Sequence, residues 1–356
     1  MSTIRRRART LAVLLAQASL LLQACASTST SARGNRPAPI ARAAARSPLF
    51  GLSDDSPQTF LDPRVKWLGI KVARYVVPWD VLTHPSEIVE LNAWLAAAAL
   101  DRVQPLITFD HSELHPKELP SLASYQRQIK RFLKLYPTVR DYTPWDEENH
   151  YPEPTAAHPR VAAEYFNALQ AACPKCSVTA ADVLDQSNMV SWLRRFLPYA
   201  HHPRLWGLHN YFDVNGGGHT RTAELLRLVH GDVWFTETGG LVWRYDRAAH
   251  RFIVRGTAYA ARAAARLLKL MHYSPRITRV YYYHWRIRTT LAQARKRPGI
   301  VTWDSGLIAP DCSARPAFNL VARALGRNPA KAPRTVETPD GGFGCITPPP
   351  PKTTVG

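Results

Sequence analysis

Two short acidic patches, Trp145-Asp146-Glu147-Glu148-Asn149 and Trp234-Phe235-Thr236-Glu237-Thr238-Gly239-Gly240, interrupt an otherwise basic chain of 356 residues. Each central glutamate ends a run rich in β-branched and aromatic residues, and Glu237 follows Glu147 by 90 positions. A strand–helix–strand unit takes about 30 residues or more, so two whole strand–helix units fit between the two carboxylates. Carboxylates paired on strand ends of one barrel are what cleavage of a glycosidic bond needs. One gives a proton and the other acts as nucleophile or base.

The pair can meet only if the intervening elements bring both strand ends to one rim. Eight short β-branched or aromatic runs are predicted as strands: Leu49–Ser53, Ala73–Pro78, Pro105–Phe109, Arg140–Trp145, Ser177–Ala181, Leu205–Asn210, Asp232–Thr236 and Arg279–His284. Helical patterns lie between them, at Pro85–Leu100, Leu122–Leu135, Pro159–Ala172, Asn188–Tyr199, Ala223–Val229 and Thr257–His272, with Arg315–Leu325 after the last strand. The segment between the first two strands gives no clean helix. Strand alternating with helix predicts a parallel sheet. Eight repeats in about 250 residues have the size of a (β/α)₈ barrel. An open doubly wound sheet would carry a Gly-rich phosphate loop after its first strand, and Gly51-Leu52-Ser53-Asp54-Asp55 is no such loop. The predicted fold is therefore a single (β/α)₈ TIM barrel over residues 47–326.

Barrel chemistry sits at the carboxyl ends of the strands. The predicted ends carry Asp54, Arg74 with Trp79, Asp110 with His111, Glu147, Asp182, His209 with Tyr211, Glu237, and Trp285. Polar and aromatic residues thus gather at one end of nearly every strand.

With Glu147 closing the fourth strand and Glu237 the seventh, the chain resembles the retaining glycoside hydrolases of clan A, the four/seven barrels. In that clan the acid/base glutamate lies in a Trp-Asn-Glu-Pro-like motif on strand four, and the nucleophile ends strand seven. Here Trp145-Asp146-Glu147-Glu148-Asn149-His150 and Phe235-Thr236-Glu237-Thr238-Gly239 take those places. The resemblance covers most of residues 48–326 as strand order, and about a dozen residues as motif. It implies that Glu147 protonates the leaving oxygen and Glu237 attacks the anomeric carbon, with the two carboxyl groups about 5–5.5 Å apart.

The resemblance also groups Arg74, Asp146, Asn149, His209, Tyr211 and Trp285 around the sugar. Arg74 stands alone in the apolar run Val72-Ala73-Arg74-Tyr75-Val76-Val77, where a guanidinium needs a carboxylate partner. In the clan that partner is the nucleophile; Asp54 on the adjacent strand is the other candidate. His209-Asn210-Tyr211 resembles the strand-six segment whose tyrosine bonds the nucleophile, although both side chains would also suit a satisfied barrel top. Trp285, after Tyr281-Tyr282-Tyr283-His284, resembles the tryptophan that floors the sugar subsite, where an indole stacks on the C–H face of a pyranose; ordinary core is its other role. Asp146 departs from the clan, which has an asparagine whose amide donates to the sugar 2-hydroxyl. An ionised aspartate only accepts, and its charge beside Glu147 would raise the acid's pKa. Glu148, in place of the usual Pro or small residue, makes the loop more acidic still.

The ends of the chain speak to location. Arg5-Arg6-Arg7-Ala8-Arg9 followed by an apolar stretch from Leu11 to Leu22 reads as a secretory signal over residues 1–25. It is too short for a spanning helix. Leu22-Gln23-Ala24-Cys25 looks like a bacterial lipobox, while Ala24-Cys25-Ala26 also suits an ordinary signal peptidase; the product is a secreted protein or a cell-envelope lipoprotein. Residues 26–46, rich in Ser, Thr, Ala, Arg and Pro, suit a flexible tether, and 327–356 form a Pro-rich tail pinned by Cys345. Five cysteines are an odd number for an exported chain. With Cys25 lipidated or removed, Cys173 with Cys176 and Cys312 with Cys345 are expected as disulfides. Cys173-Pro174-Lys175-Cys176 as a redox or zinc half-site is the alternative. It follows a helix rather than opening one, and no second Cys-x-x-Cys completes a zinc site.

The formal charge of +19 is mostly arginine, four of them in the signal. The rest are scattered, with no run that reads as a nucleic-acid arm. Such a composition also follows from a GC-rich genome, yet it would draw an exported protein toward anionic envelope polymers. The expected activity is cleavage of β-glycosidic bonds in an envelope or extracellular polysaccharide, without cofactor or metal. Membrane contact would come only through a lipid anchor. Two other classes are a carbohydrate-binding barrel that has lost turnover, with Asp146 as its sign, and a metal-dependent hydrolase. No His-x-His or His-Glu-x-x-His pattern supports the latter. Sugar specificity is expected in the loops Asp110–Ser121, Glu148–His158 and Thr238–Val254.

Overall fold

The computed structural model describes residues 47–338 and 344–348; the signal, Cys25 and the tether fall outside them. The described residues belong to one compact unit. Its strands are β1 (Leu49–Ser53), β2 (Val72–Pro78), β3 (Gln104–Asp110), β4 (Asp141–Thr143), β5 (Ser177–Val178), β6 (Asp182–Leu184), β7 (Leu205–His209) and β8 (Asp232–Thr238). There follow β9 (Trp243–Asp246), β10 (Arg251–Val254), β11 (Ile277–Tyr283), β12 (Trp303–Asp304), β13 (Val336–Glu337) and β14 (Cys345–Ile346).

The main sheet is wholly parallel, in the order β5-β4-β3-β2-β1-β11-β8-β7-β6. Its two outer strands, β5 and β6, are consecutive in the chain. The run predicted as the fifth strand, Ser177–Ala181, holds β5, and β6 begins just after it. Along this segment the hydrogen bonds change sides: Thr179 donates to Tyr142 O (3.0 Å), whereas Ala180 donates to Leu205 O (2.7 Å) and Ala181 O accepts from Gly207 (2.8 Å). The sheet thus curls into an α/β barrel.

Helices cover the outside, as right-handed crossovers between parallel strands require. They are α1 (Pro63–Leu68), α2 (Pro85–Leu100), α3 (Leu122–Leu135), α4 (Pro159–Ala172), α5 (Met189–Phe196), α6 (Thr220–Leu228), α7 (Thr257–Leu270), α8 (Leu291–Lys296) and α9 (Pro316–Ala324). Helix α3 shows why the sequence folds so: Ser121 caps it by accepting from Ser124 N, and Tyr125, Ile129 and Phe132 bury one face at helical spacing. Proline opens α1, α2, α4 and α9 at the first turn, where its missing N–H is no loss. The predicted helices all form, within a few residues of their expected ends. The gap between the first two strands holds only the short 3₁₀ turn Pro57–Leu61 and α1.

The barrel interior is layered. Val72, Leu106, Trp234 and Tyr281 pack together low in it, and Arg279 lies over the Trp234 ring at 3.9 Å while pairing with Asp141. Above this plug, polar side chains face inward from β1, β2 and β3: Ser53, Arg74 and Thr108, joined to one another by Arg74. Beyond β8 and β11 the chain departs from the simple repeat. β9, β10 and β12 form a small antiparallel sheet from the loops on the carboxyl rim. The expected disulfides are both present. Cys173–Cys176 closes the end of α4, and Cys312–Cys345 ties the β13–β14 hairpin to the body.

Candidate active site

Glu147 lies just past β4 and Glu237 is the penultimate residue of β8, so both stand on the carboxyl rim. An oxygen of each, together with a ring nitrogen of His209, falls within a group whose members are all within 4.8 Å of one another. Both glutamates are partly exposed, their side chains 21% and 14%, while Arg74 and His209 beside them are fully buried.

Glu237 is held from two sides. Arg74, fully buried on β2, donates from Nη1 to Oε2 at 2.7 Å, and Tyr211 donates from its hydroxyl to Oε1 at 2.9 Å. Burial and the Glu237 charge raise the Tyr211 hydroxyl well above its ordinary pKa, so it stays a donor. The other end of the Arg74 guanidinium pairs with Asp146 and approaches Asp182 at 3.5 Å, while Nε donates to Thr108 at 2.9 Å. Of the two partners open to Arg74 in the sequence, Glu237 is the one it meets. Asp54 instead accepts from Ser56 N, Thr59 Oγ1 and Trp285 N.

Glu147 is held by two histidines. His209 Nδ1 lies 3.0 Å from Oε1 and His150 Nδ1 2.8 Å from Oε2. Burial alone would raise this carboxyl's pKa, but the two imidazoles overcome it and hold the group below the usual range. The expectation of a raised acid is thereby corrected: His150 and His209 more than offset the effect of burial on Glu147. Glu147 also adopts a left-handed backbone (φ 42°), which is uncommon for a side chain of its kind. His209 is fully buried and reaches Asp182 as well, at 3.3 Å. Burial opposes its charge, yet Asp182 and Glu237 push its pKa well above the ordinary value, so it is an imidazolium. Asp146 goes the other way. Burial, then the Glu147 and Asp110 charges, push it well above the carboxylate range against the pull of Arg74 and His209. Two buried cations, Arg74 and His209, therefore serve four acidic side chains, Asp146, Glu147, Asp182 and Glu237.

Asp182 is the shared counter-charge that the predicted site residues omitted. It sits at the start of β6, accepts from Thr236, and meets both buried cations. A Cβ at position 207 would lie 2.2 Å from Asp182 Oδ1, so Gly207 on the neighbouring strand is what admits it. The sequence signal was there, an acid at a predicted strand end opposite a glycine.

No protein-family profile and no curated protein matches this sequence. Solved structures do match by shape. A GH39 β-xylosidase from Caulobacter crescentus is similar at 15% identity and TM-score 0.57, covering 83% of this chain and 74% of that one. A GH5_18 protein from Streptomyces cattleya, solved with Manβ1-4GlcNAc, is similar at 18% identity and TM-score 0.56, over 81% and 83%. A thermostable mutant of a xylanase from Cellvibrio japonicus reaches TM-score 0.59 at 11% identity, over 79% and 98%. The chain has the fold of the clan A glycoside hydrolases.

Within this clan A fold, two of the residues grouped around the sugar stand elsewhere. Trp285 is 1% exposed, its indole N–H donates to Asp62 at 3.0 Å, and it packs edge-on against Phe318. No face of it is open for stacking; it is core. Asn149 is wholly buried, donating to Leu184 O at 3.0 Å and accepting from Leu184 N at 2.7 Å. It fastens the loop after β4 to β6 and binds no sugar. The aromatic residue at the rim is Tyr283, half-buried at the end of β11, whose hydroxyl pKa is raised by burial and by the Glu237 charge. It lines a cavity of about 450 Å³ with Asp54, Asp55, His284, Arg288 and Cys345. Strand alternation could have found it, since Tyr281 and Tyr283 share a face.

Clusters of metal-ligand type also occur on this rim: Asp110-His111-Glu153, Asp146-Asp182-His209, and Glu147-His209-Glu237. In the first, hydrogen bonds from the His111 ring to Asp110 and Glu153 push its pKa up to about 10. In the other two the imidazole is His209. Each cluster thus holds its positive charge on the ring.

Proposed function

We propose that this chain is an exported retaining glycoside hydrolase that cleaves β-glycosidic bonds of a polysaccharide, on a closed (β/α)₈ barrel. The observation that carries the reading is the approach of Glu147 and Glu237 within 4.8 Å. That is close to the separation at which a second carboxylate attacks the sugar directly, and too short for an interposed water as in inverting enzymes. In this reading Glu237, ionised and aimed by Arg74 and Tyr211, attacks the anomeric carbon while Glu147 protonates the leaving oxygen. Glu147 then deprotonates the water that releases the sugar. The passage of hydrogen bonds from β4 to β7 across residues 179–181 supports eight-fold closure. The two disulfides support an oxidising compartment, and no helix among the described residues is long and apolar enough to cross a membrane. Secretion by a leader, with Cys25 as the lipid anchor where one is attached, completes the reading.

Substrates with activated aryl leaving groups test it. Glu237→Ala removes the attacking group, so azide restores turnover with inverted configuration. In Glu147→Ala the glycosyl intermediate still forms, and azide intercepts it with retained configuration. Product anomers followed by NMR distinguish these. Equal activity in wild type and both variants overturns the assignment. One observation favours a second reading, a sugar-binding barrel without turnover: His150 and His209 hold the proposed acid below the usual range. Binding of oligosaccharides with no hydrolysis of any substrate in a broad polysaccharide and aryl-glycoside panel selects that reading instead.

A further inference from the structure

Tyr211, which bonds Glu237, is also one wall of a second hollow of about 500 Å³. The hollow is built from the Tyr211–Gly217 loop after β7, the β9–β10 hairpin with its flanks, and Trp303 of β12. Beside Asn215, Leu241 and Ile253, two kinds of side chain line it. The first are aromatic: Tyr211 and Trp303, with ring centroids 5.0 Å apart, and Phe212, which is 57% exposed. The second are cations, Arg244 and Arg255. Arg255 is exposed with its guanidinium 5.4 Å from the Tyr259 ring, and it has no carboxylate partner among the described residues. Arg244 reaches only Asp246, at 3.5 Å.

No acidic residue lines this hollow, whereas Asp54, Asp55 and Glu90 line the cavity beside Tyr283. The two hollows therefore differ: the one beside Tyr283 mixes acids with His284, Arg286 and Arg288, whereas the one at the β9–β10 hairpin carries cations and no acid. A protein of +19 formal charge gains nothing in stability by collecting further arginines in a concavity. A guanidinium fork matches a planar carboxylate in two parallel hydrogen bonds, and an exposed ring beside it stacks on a sugar's C–H face. An exposed phenyl ring, with the Arg221 guanidinium 5.8 Å from its centroid and Arg244 and Arg255 lining the same hollow, is the pairing an acidic sugar would complete.

We propose that this hollow is a subsite for a uronate residue of the substrate, its ring against Phe212 and its carboxylate on Arg244 and Arg255. The proposal rests on the glycosidase reading and narrows it to acidic polysaccharides. The neutral rings of the substrate would lie along Tyr211 and across the carboxylate pair.

The test uses the Glu237→Ala protein, which binds without consuming its ligand. Oligosaccharides of β-1,4-glucuronan, β-1,4-mannuronan and hyaluronan are each compared with the same material after reduction of its carboxyls to primary alcohols, by isothermal titration. At least one native form is expected to bind about tenfold or more tighter than its reduced partner, the discrimination a bidentate charged contact supports. Adding Arg244→Gln and Arg255→Gln should erase that preference while leaving affinity for the reduced form unchanged, which also shows that the fold is intact. No preference in any pair, or equal loss for both forms in the arginine variant, overturns the subsite. If the preference holds but the wild type hydrolyses nothing, the glycosidase reading falls and the subsite stands. If the wild type hydrolyses only neutral glycans with no preference, the reverse is true.

Discussion

Arg74 Nη1 sits 2.7 Å from Glu237 Oε2, and the same guanidinium pairs with Asp146 through its other nitrogen. One buried cation on β2 thus fixes residues on both sides of the proposed cleavage point. Arg74 has no exposed surface, so it serves the carboxylates and not the sugar. Replacing it with methionine keeps volume and removes charge. Breaking a buried pair by deleting one partner costs about 3–5 kcal/mol, because the remaining charge stays desolvated. Arg74→Met should show that loss as a lowered urea midpoint with kcat/KM reduced on the order of 10²-fold or more. A variant of normal stability and activity would show that Glu237 needs no such holder.

His150 gives a prediction with a definite sign. The acid must be protonated to act, so the alkaline fall in kcat/KM follows the Glu147 pKa. Burial raises that pKa, and His150 and His209 overcome it. His150 is the more exposed of the two histidines, at 36% of its side chain. Its replacement by alanine leaves the buried network standing and removes one charge-assisted bond. Glu147 should then hold its proton to higher pH, moving the alkaline limb up by about one unit. The shift should be clear with alkyl glycosides and weak with activated aryl glycosides, which need less proton donation. An unmoved limb in His150→Ala would separate His150 from the acid.

At Asp146 the clan's asparagine is replaced, and the environment compensates. Burial raises this carboxyl well above its ordinary pKa, and in its protonated form it can donate where an amide would. Asp146→Asn keeps a donor and should retain activity within about tenfold, whereas Asp146→Ala should lose roughly 10²-fold. The pH sign follows: as pH rises through the raised pKa, wild type loses the donor and gains a charge beside Glu147, so activity falls. The asparagine variant should lack that step. An asparagine variant as poor as the alanine one would mean that the residue acts as a carboxylate.

The strands and helices were legible because each predicted run has one apolar face and one punctuated end, as at Ser121–Phe132. What the sequence hid was tertiary. Ala180 and Ala181 lie at the point where hydrogen bonding passes from Tyr142 to Leu205, and nothing in two alanines announces it. Trp243–Asp246 and Arg251–Val254 alternate like a hairpin, but within a long loop they read as connection. Glu147, Glu237, Arg74, His209 and Tyr211 could be grouped from the sequence because charge or polarity at an apolar strand demands a partner, and the structure brings them into contact. Asn149 was misread because buried amides that fasten loops look, in sequence, like those that bind sugars. His150 stood in the motif unassigned, since its role depends on the turn that brings residue 150 back onto residue 147.

The Cys312–Cys345 bridge spans 33 residues, and a loop of that order stabilises by about 3–4 kcal/mol. Cys345 and Gly344 also wall the cavity beside Tyr283. Cys345→Ser is therefore expected to lower the melting temperature and to raise KM for oligosaccharides long enough to reach that cavity, with short aryl glycosides unaffected. Equal KM changes for short and long substrates would confine the bridge to stability.

Tyr283 and Trp285 separate two roles that the sequence merged. Trp285 donates to Asp62 and packs on Phe318, so Trp285→Phe loses a buried hydrogen bond and some packing, about 1–3 kcal/mol, without touching substrate. Tyr283 is half-buried and lines the cavity next to Glu237, so Tyr283→Ala removes an aromatic wall from the proposed sugar site. The expected pattern is a double dissociation. Trp285→Phe should shift the denaturation midpoint and leave KM alone, while Tyr283→Ala should raise KM several-fold with a smaller stability change. Melting curves and Michaelis plots on both variants decide it. A raised KM in Trp285→Phe at normal stability would return the indole to the sugar floor.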